Sequence, residues 1–172
     1  MTERASAEPA SRPAGEGRLV GPPTELCPGC MSCGTCRFGV RELRLRSDGS
    51  ARAEVLFDGD HEGGPGVTHG GWTAAMFDEV LGLALNRRLG KPAVTRDLNV
   101  QYRRPVPIGR LLVVEAWGTP LDEDGRWRMR GTLRLASNGA ELSGASGVWV
   151  ERTESHYLRH QRWLRDQDRS AP

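Results

Sequence analysis

The stretch from Gly71 to Leu85 most constrains the fold. It is fifteen residues long, and apart from Thr73 and two adjacent carboxylates, Asp78 and Glu79, it is small or apolar all the way round. Strands average about 5–6 residues, so this length argues for a helix. A helix that is apolar on every side is expected to be buried on every side. It stops at Asn86-Arg87-Arg88-Leu89-Gly90, where cations suit the helix C-terminus and a glycine ends it, with Pro92 beyond.

The segments around that helix alternate with the period of strands. Arg41 to Arg46 and Ala51 to Phe57 flank the turn Ser47-Asp48-Gly49-Ser50 and read as a hairpin. Asp97 to Arg103 alternates polar and apolar strictly and ends at Pro105, Pro107 and Gly109. Leu111 to Trp117 reads as a more apolar strand. Arg126 to Leu135 places Trp127, Met129, Gly131, Leu133 and Leu135 on one face. Asn138-Gly139 is a hairpin signal. Glu141 to Val150 forms the last strand, and its small residues from Ser143 to Gly147 mark a close approach by a neighbour. The order is thus two strands, a buried helix and four antiparallel strands. One curved sheet wrapped around one helix meets these requirements, an α+β architecture.

Composition excludes several classes. Net charge is +2 over 172 residues, too near neutral to argue for nucleic acid. The basic residues are 23 Arg and one Lys, read first as a GC-rich coding bias. No apolar run reaches the roughly 18–20 residues of a membrane helix. Residues 1–23 are rich in Ala, Pro, Gly, Glu and Arg and are expected to be a disordered leader without a secretory signal. A reducing, cytoplasmic compartment follows as an expectation. The domain boundaries expected are 24–37 for a cysteine-rich segment, 38–151 for the folded domain, and 152–172 for a tail that forms a short docked helix or frays.

The chemistry concentrates at the two ends of one idea. Gly66-Val67-Thr68-His69-Gly70-Gly71 puts glycines where the first amides of the helix are unpaired, and those donors with the helix dipole suit an oxyanion. Asp78 supplies a carboxylate, with Glu79 as the alternative base. Gly70 and Asp78 are eight residues apart, about 12 Å of helix rise. One chain cannot bring both to one small carbonyl, so a site using both is shared across a dimer, twice over if the dimer is isologous.

The run His61-Glu62-Gly63-Gly64-Pro65-Gly66-Val67-Thr68-His69-Gly70-Gly71, then Asp78-Glu79-Val80-Leu81-Gly82, then Thr95 through Tyr102 to Pro105-Val106-Pro107-Ile108-Gly109, resembles the hotdog-fold acyl-CoA thioesterases, closest to the phenylacetyl-CoA-pathway branch. The resemblance spans about residues 33–150 and implies a helix-in-sheet hotdog fold, a homodimer or dimer of dimers, and hydrolysis of acyl-CoA or acyl-carrier-protein thioesters. It implies Asp78 as general base or nucleophile, the Gly70 amide as oxyanion donor, His69 as the residue shaping that loop, and Thr95 as a hydroxyl that helps hold water. Gly71, Arg103 and Arg104 are the expected substrate contacts. Arg87, Arg88 and Lys91 are further cations for coenzyme A phosphates. Where some members carry an asparagine six residues before the motif histidine, Gly63 stands here, so that role has no counterpart unless His61, two residues earlier, takes it over. Catalysis of this kind requires no metal or cofactor. A non-catalytic acyl-thioester-binding module and a metal- or redox-responsive interaction protein are the competing readings.

Cys27, Cys30, Cys33 and Cys36 recur at a spacing of three. Paired Cys-x-x-Cys turns are what thiolate metal sites use, so zinc is one reading. Closing one tetrahedral site with such short loops is strained. Iron–sulfur ligation and reduced, redox-sensitive thiols are the other readings.

Overall fold

The computed structural model describes residues 17–20, 30 and 35–170. Among the described residues, nine strands and two α-helices follow in order: β1 (Leu19–Val20), β2 (Val40–Arg46), β3 (Ala51–Val55), β4 (Glu62–Gly64), β5 (Val67–Thr68), α1 (Gly70–Leu89), β6 (Ala93–Tyr102), β7 (Leu112–Pro120), β8 (Arg126–Leu135), β9 (Glu141–Glu151) and α2 (Glu154–Ser170), with one short 3-10 turn at Gly59–His61 before β4. Seven strands form one antiparallel sheet in the order β1-β2-β3-β7-β8-β9-β6, while β4 and β5 form a small separate hairpin before α1. The sheet wraps α1, as the sequence patterns require.

The core lies between them. Met76, Phe77, Val80, Leu81 and Leu85 of α1 are fully buried against Leu43, Val55, Val114 and Leu133 of the sheet. Burying side chains of this size contributes about 1.5–3 kcal/mol each. Close helix–sheet approach depends on Gly131 in β8: a Cβ there would stand 3.0 Å from Leu81 and 3.3 Å from Phe77. The helix is not buried on all sides within one chain. Ala74, Ala75, Asp78, Glu79, Gly82 and Leu83 are half-buried, because one sheet covers one face of a helix and the other face looks away from it.

Both ends of α1 are set locally. His69 caps the start, its Nδ1 accepting the Gly71 amide at 2.9 Å. Gly90 ends the helix in the left-handed region (φ 66°) and donates its amide to Asn86 O. The Asn86 side chain in turn accepts the Ala93 amide at 2.8 Å, tying the helix exit to the start of β6.

Two boundaries differ from expectation. Leu19 and Val20, inside the expected leader, pair with Arg46 and Leu45, since the outer edge of β2 offers unpaired backbone groups to any extended apolar dipeptide that reaches it. The tail forms a helix of 17 residues rather than a short one, and Tyr157, Leu158, Trp163 and Leu164 are exposed on it, not docked. No helix among the described residues is long and apolar enough to cross a membrane.

Candidate active site

The acid of α1 is held from β6. Thr95 Oγ1 donates to Asp78 Oδ1 at 2.6 Å. The contact depends on a bulge. Thr95 pairs with Trp149 and Asp97 with Val148, so Arg96 is skipped in the ladder. That extra residue moves Thr95 onto the face occupied by Leu98 and Val100, toward the helix and beside the buried Trp149. A hydroxyl spent on Oδ1 leaves Oδ2 of the half-buried carboxylate open.

The start of α1 carries the other half. The Gly70 amide donates to no acceptor among the described residues. It borders an open cavity of about 390 Å³ lined by Val67, Thr68, Gly70, Thr73, Tyr102, Arg103, Arg104, Pro105 and Val106. The Gly71 amide is not available as expected. The His69 ring takes it up, because an N-cap side chain satisfies one of the first free amides. With Nδ1 accepting, a neutral His69 ring carries its proton on Nε2, and the exposed ring offers a donor.

Tyr102, which sequence reasoning used only as a turn marker, fixes the Gly70 peptide. Its Oη donates to Gly70 O at 2.8 Å, and its ring lies 3.5 Å from where a Gly70 Cβ would stand. The signal was a tyrosine at the exposed end of an alternating strand. Thr68 and Thr73, also unanticipated, bury hydroxyls with no hydrogen-bond partner beside this cavity.

His61 does not substitute for the asparagine. It is 7% exposed, with Nε2 against Arg37 O at 3.0 Å and Nδ1 against Asp58 Oδ1 at 2.6 Å, so neither nitrogen is left for a thioester. The hydrogen bond from His61 holds the Asp58 carboxyl below its usual range. The His61 carbonyl accepts the His69 amide at 2.8 Å, so this histidine anchors the loop instead. Nor does position 63 have room for an asparagine. A Cβ on Gly63 would stand 2.6 Å from His69 Cα.

Arg103 and Arg104 rim the cavity. Arg103 is paired with Glu141 at 2.9 Å, and Arg104 Nη1 donates to Glu141 O at 2.5 Å. Arg88 and Lys91 lie at the far end of α1, where Arg88 stacks on Trp127 and Lys91 pairs with Glu151. Of the four cysteines, Cys27 and Cys33 lie outside the described residues. Cys30 is buried and Cys36 half-buried, and burial pushes the Cys36 thiol up, with neighbouring Cys30 adding to the rise and the amides of Phe38 and Val40 opposing it.

Within one chain, then, Gly70, Tyr102, Arg103 and Arg104 meet at the cavity, while Asp78 and Thr95 meet about 12 Å along the helix. Residues 65–119 match the model of the thioesterase superfamily, a segment that holds both groups. Bos taurus acyl-coenzyme A thioesterase THEM4 is 31% identical over 116 residues, covering 66% of this chain and 47% of that protein, so the chain spans about half the length of this relative. The crystal structure of RHA08564, a thioesterase superfamily protein, is 33% identical with a TM-score of 0.58, over 64% of this chain and 53% of that one. The E. coli PaaI protein from the phenylacetic acid degradation operon shares the fold at 15% identity, with a TM-score of 0.59 over 73% of this chain and 84% of that one. A glycine-led helix start, an acid two turns on and a single sheet enclosing the helix coincide with that match: over residues 65–119 the chain is similar to the thioesterase superfamily, and its fold is the hotdog fold of these structures.

Proposed function

We propose that this protein hydrolyses acyl thioesters of coenzyme A or of an acyl-carrier protein, in sites shared between two copies of the chain. The observation that carries the reading is the pairing of Thr95 with Asp78 on α1 while the Gly70 amide at the helix start stays unspent beside a cavity. The thioester carbonyl oxygen sits on the Gly70 N–H of one subunit, where the helix dipole favours developing negative charge. Asp78 of the partner subunit takes a proton from water through Oδ2 as that water attacks the carbonyl carbon, or attacks the carbon itself to leave, once the thiolate departs, an acyl–aspartyl anhydride that water then hydrolyses. Collapse of the tetrahedral intermediate expels the thiolate. A positioned base contributes about 10²–10⁴-fold and an oxyanion donor about 10²–10³-fold, enough for an activated ester without a metal.

The half-exposed outer face of α1, with Ala74, Ala75, Gly82 and Leu83 beside Asp78, supports a homodimer, or a pair of dimers. Among the described strands, β6 pairs on one side alone, which leaves a ten-residue edge for a second copy. Arg103 and Arg104 supply positive charge for the phosphates of the thiol carrier at the cavity rim.

A thiol-release assay over short, long and aryl acyl-CoAs tests the reading. At least one substrate is turned over by the wild type, and Asp78→Asn lowers its kcat by about 10²–10⁴-fold while leaving the oligomer intact. Full activity in Asp78→Asn moves the base to Glu79 or ends the model. Acyl-CoA binding without turnover in the wild type makes the protein a binding module.

A further inference from the structure

Gly70 joins two peptide units that carry four polar groups between them. In the unit that holds the Gly70 N–H, the His69 carbonyl accepts the Trp72 amide at 3.0 Å and the Thr73 amide at 3.3 Å. In the unit that follows, the Gly71 N–H donates to His69 Nδ1 at 2.9 Å, and the Gly70 carbonyl accepts from Tyr102 Oη at 2.8 Å. The Gly70 N–H is the fourth group. A peptide unit is planar, so one held at both its C=O and its N–H has little freedom to turn. That restraint matters at a glycine, which has no Cβ to limit its own φ and ψ. Two of the three engaged groups are held within the helix start. The third is held from β6, by Tyr102.

The rest of β6 is arranged around that contact. Tyr102 is 55% exposed, so water would serve its hydroxyl nearly as well, and the bond adds little net stability. The backbone beside it is nonetheless gripped: Ser143 Oγ donates to Gln101 O at 2.9 Å, and the Arg103 and Arg104 amides both donate to Leu142 O at 2.9 Å. The register is a second observation. Thr95 and Tyr102 are seven residues apart, and an odd separation puts two residues on opposite faces of a regular strand. The bulge at Arg96 shifts Thr95 by one place, so both side chains reach α1. One strand thus directs one hydroxyl to each half-site: Thr95 to Asp78 and Tyr102 to Gly70.

We propose that Tyr102 is the positioning residue of the oxyanion donor. By holding the Gly70 carbonyl, its hydroxyl fixes the direction in which the Gly70 N–H meets the thioester oxygen. This rests on the acyl-thioesterase reading given above. The Tyr102 ring also lines the cavity, while its hydroxyl is taken up by the peptide. Ring and hydroxyl therefore act on different steps. The ring is a wall that bears on substrate binding, and the hydroxyl bears on the chemical step through Gly70.

Steady-state kinetics of Tyr102→Phe on an acyl-CoA that the wild type turns over separate the two. With the ring kept, KM should stay within about twofold while kcat falls about tenfold, less than the roughly 10²–10³-fold that an oxyanion donor itself carries. Tyr102→Leu, which removes the wall as well, should also raise KM. Mixed subunits show which half-site the hydroxyl serves. Tyr102→Phe co-expressed with Asp78→Asn should recover about a quarter of wild-type activity, because each mixed dimer has one intact site, whereas Thr95→Ala with Asp78→Asn should not. Spectra of protein labelled with ¹⁵N-glycine read the contact without turnover: the Gly70 and Gly71 amide signals should move in Tyr102→Phe while that of Gly90, at the far end of α1, stays in place. Unmoved Gly70 and Gly71 signals, an unchanged kcat, or a Tyr102→Phe chain that fails to complement Asp78→Asn would overturn the proposal and leave the acyl-thioesterase reading standing. A wild type that turns over no acyl thioester would overturn that reading and the proposal with it.

Discussion

Asp58 and His61 together show how one charged residue can hold a loop from beneath. The Asp58 carboxylate accepts from the Asp60 amide at 3.1 Å and pairs with His61 Nδ1, and His61 passes the restraint to His69 through its carbonyl. The folded carboxyl is held below its unfolded value, so its contribution to stability is fully present above the unfolded pKa of about 4 and is lost as pH falls through the folded value. Thermal melts should therefore show a gap between wild type and Asp58→Asn that is constant from about pH 5 to 8 and closes below about pH 4. A gap that persists at acid pH would mean that the loss is steric and not electrostatic.

Among the elements, β6 has the tightest geometric requirement. Its bulge aims Thr95 at Asp78, and the strand fits there because Gly147 of β9 has no side chain. A Cβ on Gly147 would stand 2.3 Å from Asp97 O and 2.8 Å from the Trp149 ring. A backbone carbonyl cannot swing aside, so Gly147→Ala should displace β6 at the bulge and cost roughly 1–3 kcal/mol. Chemical denaturation measures that loss. The same variant should lose activity beyond the fraction unfolded, as Thr95 leaves Asp78. An alanine there with wild-type stability would show that the strand has slack. The small residues of β9 flagged this approach in the sequence. The bulge itself was not legible, since a run such as Ala93 to Tyr102 does not state which residue its partner will skip.

For the whole molecule, the separation of the two half-sites makes a distinctive prediction. Asp78→Asn removes the acid but leaves the loop, while Gly63→Ala forces His69 and its loop aside but leaves the acid. Each homodimer should be nearly inactive. Mixed subunits, refolded or co-expressed, should recover about a quarter of wild-type activity, because half of the dimers are mixed and each has one intact site. No recovery in dimers shown to be mixed would place both groups in one chain and remove the shared site. Sedimentation gives the oligomer in the same samples.

What the sequence determined by itself is what periodicity and fixed rise can carry. Alternation marked the strands of the large sheet, an unbroken apolar stretch marked α1, and 1.5 Å per residue separated Gly70 from Asp78 before any coordinates. These are local properties, set by covalent geometry and by which faces meet water. The tertiary structure decided the rest: that Thr95 meets Asp78, that Tyr102 pins the Gly70 peptide, and that His61 faces Arg37 instead of the cavity. Most of these contacts join residues far apart in the chain, and each turns on a register or packing choice that local pattern leaves undetermined. That the Gly71 amide is taken up by His69 was open for the same reason, since a free amide at a helix start stays free only if no side chain folds back to take it.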